Sequence, residues 1–156
     1  MADEEDDEPD DDDEEEELVP MILIVTGSAL RAEEVDRPLA YYLKQQVESA
    51  LLDRDDPTPV CVVADFRWIH DEPLQALPTI SLGGPGVNAL AHRWLEEVPL
   101  VLAVDEEYYL QLSPDADPPV SSIWGMNNAH TQLAVAVFVQ RHLSTYLDAV
   151  ARHFED

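Results

Sequence analysis

Cysteine occurs once in this sequence, as Cys61, and lysine once, as Lys44. A single cysteine excludes an internal disulfide and any cysteine-rich zinc site. The other bases are seven arginines, and no group of the eight forms a cluster. Contacts to a nucleic-acid backbone need clustered Lys or Arg, so nucleic acid is excluded as a partner. Long apolar runs are missing too. The longest charge-free apolar stretch, 129–140, is far too short to span a bilayer. An acidic surface also repels anionic membranes, so no membrane partner is expected. The chain opens acidic, the reverse of a secretory signal. From these absences a cytoplasmic protein is expected.

What is abundant is acid. Asp and Glu number 34, and the formal net charge is −26. Fourteen of them lie between Asp3 and Glu17, interrupted only by Pro9. Like charges at that density repel, with nothing apolar to bury in compensation, so residues 1–18 are expected to be a disordered tail. The remaining twenty acids face eight bases, which leaves about 12 net negative charges on the rest. That balance fits a high-salt interior, and equally a GC-rich genome. Residues 19–156 suit one domain with a real core, and a second would not fit.

The folding part reads as alternating strands and helices. Met21-Ile22-Leu23-Ile24-Val25 is apolar without alternation, which is the mark of a strand buried on both faces. It stops at Thr26-Gly27-Ser28. Asp36-Arg37-Pro38 offers an N-cap with proline in the first turn, and Leu39, Leu43, Val47 and Leu51 recur at helical spacing. Residues 60–64 repeat the buried-strand signature and end at Asp65. The next excursion, to Leu77, has room for one short helix. Residues 79–82 form a third strand leading into Gly83-Gly84-Pro85-Gly86-Val87-Asn88, and Asn88 can cap a helix with Leu90, Ala91, Trp94 and Leu95. A fourth strand at 99–104 can pair with 108–112. The last, at 120–124, meets Gly125-Met126-Asn127-Asn128 and a final helix over 129–153. That helix is apolar all round at 133–139, as if buried on two sides or set in a subunit contact. The alternation predicts an α/β fold: a single three-layer domain, Rossmann-like or flavodoxin-like, with a mainly parallel sheet.

Three strands end in small or polar loops that enter helices. In a parallel sheet such loops gather outside the carboxyl ends of the strands, where open α/β folds bind ligands. The ligand-binding candidates are therefore Thr26, Gly27, Ser28, Gly83, Gly84, Asn88, Asn127 and Asn128. Each loop is weak alone. Gly83-Gly84-Pro85-Gly86 lacks the spacing of a dinucleotide fingerprint, and Thr26-Gly27-Ser28 lacks the lysine of a P-loop. Turn residues and helix caps would look the same. The catalytic candidates are Asp65, at a strand end, and His130, in the first turn after the asparagines. A solvated carboxylate and a surface histidine are the plainer alternatives.

Other constellations carry less. No Gly-x-Ser-x-Gly elbow accompanies Ser28, which removes the hydrolase triad. His70-Asp71-Glu72 are adjacent residues, which seldom face one ion, so no metal site is assigned. Tyr41/Tyr42 and Tyr108/Tyr109 should each turn one ring inward. Trp68 and Trp124 could wall a crevice or fill the core, and Cys61 should be an inert buried thiol.

Two functions compete. One is a small-ligand domain for a nucleotide, nucleoside or sugar derivative, with catalysis left open and no cofactor named. The other is a non-catalytic interaction or assembly module. It would use the acidic tail to hold a basic protein partner and the apolar last helix to build a homo-oligomer.

Overall fold

The computed structural model describes residues 19–155 except 31, 99, 105, 106 and 114, and gives the backbone alone for 33 and 100–104. The tail, and with it the expectation that it is disordered, lies outside the described residues. Strand β1 (Ile22–Thr26) is buried at every position, as its unbroken apolar run requires. After it a π-helical turn (Ala32–Asp36) leads into helix α1 (Arg37–Asp53). Then come β2 (Val60–Ala64), the short helices α2 (Asp65–Ile69) and α3 (Glu72–Gln75), β3 (Thr79–Leu82) and α4 (Ala89–Trp94). Strands β4 (Leu100–Val104), β5 (Tyr108–Ser113) and β6 (Val120–Gly125) follow. The chain closes with α5 (Asn128–Val137), a π-helical segment (Phe138–His142) and α6 (Leu143–Glu155).

The strands form one sheet in the order β2-β1-β3-β6-β5-β4. The first four are mutually parallel, whereas β5 runs antiparallel to both of its neighbours. This is an α/β fold with a mostly parallel sheet. Period-two alternation sends successive side chains of β1 to opposite faces. Ile22 and Ile24 join Ile80, Leu82 and Ile123 beneath α1, α5 and α6. Leu23 and Val25 meet Trp68, Leu74, Leu90 and Trp94 on the other side. Both faces are thus covered by helices, which is why β1 shows no polar alternation.

Several local expectations need correction. The 60–64 run resembles β1 in sequence but forms the edge strand β2, with four of its five residues, Cys61 included, only half-buried. An edge strand has a neighbour on one side only, so its second flank stays open to solvent. The stretch after Asp65 holds two short helices where one was expected, with Pro73 starting the second. Asp36 is not a cap: it has helical dihedrals and makes no capping bond, because the π-helical turn runs straight into α1. Pro38 can neither donate to the carbonyl four residues back nor fit against it, and the wider turn ahead meets both demands. Tyr41 and Tyr42 both face solvent, whereas Tyr108 turns inward and Tyr109 stays half-buried, as expected of that pair. In the last helix Leu133 remains 45% exposed, while Ala134, Val135 and Phe138 are buried against the sheet. No helix of the described residues is long and apolar enough to cross a membrane.

Candidate functional site

The ends of β1 and β3 are level, because Thr26 pairs with Leu82, and β6 runs two residues past Ile123, the partner of Leu82, to end at Gly125 on the same rim. The three loops that follow therefore leave one rim of the sheet side by side. Their helices then diverge. Those after β1 and β6 pack on one face, and α4, after β3, packs on the other. A gap opens above β3 where the outer loops turn one way and the middle loop the other, the place where such sheets hold ligands.

That gap is a crevice of about 240 Å³ lined by Val35, Asp36, Gly84, Gly86, Val87, Gly125, Met126, Asn127, Asn128 and Thr131. Three sequence-predicted residues, Gly84, Asn127 and Asn128, are in its wall. Asn127 Oδ1 accepts from the His130 N–H at 2.9 Å, and its carbonyl accepts from the Thr131 N–H and Oγ1. Thr131 Oγ1 in turn accepts from the Gly125 N–H at 3.0 Å, which fixes the third loop on the first turn of α5. Asn128 is exposed beside it. Asp36 is 7% exposed, and like Arg37 it also engages other groups of the protein.

The remaining predicted residues sit behind the crevice and build it. At Gly27 a side-chain Cβ would fall 1.8 Å from the Val87 carbonyl oxygen, so the first two loops touch backbone to backbone. Gly83 has φ +109°, and a Cβ there would come 2.8 Å from Asp36 Oδ2. The middle loop can thus pass close under that carboxylate only as glycine. Asn88 is buried and fully used. Its Oδ1 accepts from the Leu90 and Ala91 N–H groups, while Nδ2 donates to Val25 O, Ser81 Oγ and Leu82 O. It caps α4 and pins that cap to two strand ends. Thr26 is buried, and its Oγ1 has no hydrogen-bond partner among the described residues.

Asp65 is an anchor. Its Oδ1 accepts from Ser28 Oγ at 2.8 Å and from the Phe66 N–H at 2.6 Å, and its Oδ2 accepts from the Ala89 N–H at 2.7 Å. One carboxylate so joins the loop after β1 to the starts of α2 and α4, where helix N-termini favour negative charge. His130 lies outside the crevice wall, and its Nδ1 is buried without a partner among the described residues. Trp68 is core, edge-to-face with Trp94 at 5.7 Å and donating to Thr79 Oγ1. Trp124 stacks on Tyr109 at 5.2 Å, and Gly84 lies against its ring. Among the described residues no cluster of His, Cys, Asp or Glu could hold a metal.

Sequence reasoning missed Asp36, Val35 and Thr131. Thr131 had a usable signal, since it lies one turn beyond Asn127. Asp36 had none, because a buried wall carboxylate and a helix cap are written with the same letter. Larger clefts of about 470 and 490 Å³ lie at the opposite rim, around the Asp115–Pro119 loop and His153. Their Asp117 side chain is 88% exposed and pairs at 2.9 Å with His153, which is only 21% exposed. No protein-family model matches the sequence, and no curated protein matches it.

Proposed function

We propose that the chain is a Rossmann-like, three-layer domain that binds a small ligand in the crevice above β3. The ligand class is a nucleotide, nucleoside or sugar derivative. One observation carries this reading: the π-helical turn after β1 and the loops after β3 and β6 meet at one concave wall lined by Asp36, Asn127, Asn128 and bare backbone at Gly84 and Gly86. Ligand sites of drug-sized molecules run from roughly 300 to 1,000 Å³. At about 240 Å³ the crevice suits one nucleoside or monosaccharide and is too small for a dinucleotide. The lone cysteine fits the reducing cytoplasm. Neither Asp65 nor His130 faces the crevice, so binding is proposed without a reaction.

The test is thermal stabilisation by a panel of nucleosides, nucleotides, sugars and sugar phosphates. A Cβ at Gly86 would meet nothing within 4 Å, so Gly86→Leu should fold while crowding the crevice. A panel member should raise the melting temperature of the wild type and not of G86L. Stabilisation of neither protein, or of both equally, removes the proposal.

An assembly role has its own support, since Leu30, Leu133 and Met126 remain exposed around the start of α1 and α5. It predicts a dimer by light scattering that Leu133→Asp dissociates. A monomer at high micromolar concentration would discard it.

A further inference from the structure

We infer that two copies of this chain join edge to edge through β2, on a surface separate from both the crevice and Leu133. β2 ends the sheet and pairs with β1 alone. Natural edge strands are commonly blunted by a charge, a proline or a bulge. Between Val60 and Ala64 there is none of these, and Pro57 and Pro59 only stop the run from lengthening. Pro59 O accepts from the Ile22 N–H. By alternation residues 59, 61 and 63 then turn their backbone groups to β1, and Val60, Val62 and Ala64 turn theirs outward. That outward set is symmetric about Val62. An antiparallel copy sets Val62 against Val62 and Val60 against Ala64, about a two-fold axis normal to the sheet.

The helix above this edge identifies the occupant as a second copy. α1 sits astride β1 and β2, with Ala40, Leu43, Val47 and Leu51 buried beneath it. Its flank with Gln46 and Ala50 meets Leu143 and Leu147 of α6. At about 100° per residue the opposite flank carries Tyr41, Lys44, Glu48 and Leu52, and so overhangs the open edge. Tyr41 is 44% and Leu52 76% exposed. Neighbouring strands lie about 4.8 Å apart, so α1 stands about 5 Å from the axis and about 10 Å from its copy, an ordinary spacing for packed helices. The two-fold also reverses the second helix. With the helix centres aligned, Tyr41 of one copy meets Leu52 of the other. The Lys44–Glu48 pair meets the same pair reversed, so each lysine comes between two glutamates. The bodies each carry about 12 net negative charges, which opposes association. At ~0.15 M salt the Debye length is about 8 Å, so distant charges are screened and contacts at the edge are not. Each chain enters β1 from the opposite rim to its partner, so the acidic stretches begin at opposite rims.

Sedimentation equilibrium of the full chain at ~0.15 M salt tests this. The wild type should be a dimer at high micromolar concentration. Val62→Pro removes only an outward N–H, which an edge strand tolerates, and should weaken dimerisation about 10-fold or more. Lys44→Glu and Glu48→Lys each set like charges across the axis, and each should weaken it too. Mixed together, these two variants should form the heterodimer in preference to either homodimer. Both charge changes lie on the outer flank of α1, so they decide the matter even where V62P folds poorly. A wild-type monomer, equal dimerisation by every variant, or a mixture without heterodimer preference overturns the inference. So does a dimer that Leu133→Asp dissociates and these changes do not, because that contact belongs to α5.

Discussion

Removing the Asp65 carboxylate should cost far more than the loss of an ordinary surface acid. Three donors end on it, from Ser28 Oγ, Phe66 N and Ala89 N, at 2.6–2.8 Å. Hydrogen bonds to a charged group are worth about 1.5–3 kcal/mol apiece. Phe66 and Ala89 are exposed, so water can take over part of what their N–H groups lose. The loss is then nearer one full charged bond plus one helix cap, about 2–4 kcal/mol for Asp65→Ala. In a domain of this size that lowers Tm by about 10 °C. Asp65→Asn keeps one acceptor oxygen but turns an NH2 toward a backbone donor, and should cost about 1–2 kcal/mol. Urea unfolding of the three proteins, with the slope m compared to verify two-state behaviour, gives the numbers. Asp65→Ala within 0.5 kcal/mol (about a surface substitution) of the wild type would refute the anchor.

Other positions test neighbouring parts of the account. Gly27→Ala sets a methyl 1.8 Å from the Val87 carbonyl, which only backbone movement can relieve, so it should destabilise by about 3 kcal/mol or more in the same urea assay. Arg54→Ala breaks a 2.9 Å pair with Asp148, but both side chains are well exposed, so the expected loss is about 1 kcal/mol or less and smaller still in high salt. Burial, and after it the Arg141 charge, hold the His142 imidazole below its ordinary value of 6.5. The unfolded chain then takes up that proton more readily than the fold does. Stability is therefore complete above about pH 6.5 and falls as pH drops through it, and His142→Gln should flatten that part of a melting-temperature profile.

The sequence made the regular elements legible where local chemistry and tertiary setting agree. The buried β1, the Asn88 cap and the small polar corners after β1, β3 and β6 on one rim all follow from apolar runs punctuated by small polar residues. It failed where one local pattern serves two settings. The 60–64 run has the composition of a central strand and lies at the edge, because strand order depends on how helices cross the sheet, which no residue encodes locally. Asp36 and Asp65 show the same ambiguity for single acids. One reads as a cap and lines the crevice. The other reads as a candidate base and ties three elements together. Gly27 and Gly83 read as glycines for close ligand approach, and in the structure each meets a close contact within the rim, with the Val87 carbonyl and with the Asp36 carboxylate.

The most direct test of a ligand crevice above β3 is amide chemical-shift mapping with a stabilising nucleoside or sugar. Gly84, Gly86, Asn127 and Asn128 should move together and saturably, leaving the opposite rim still. Shifts centred on Asp117 and His153, or spread thinly over the whole surface, would contradict the account.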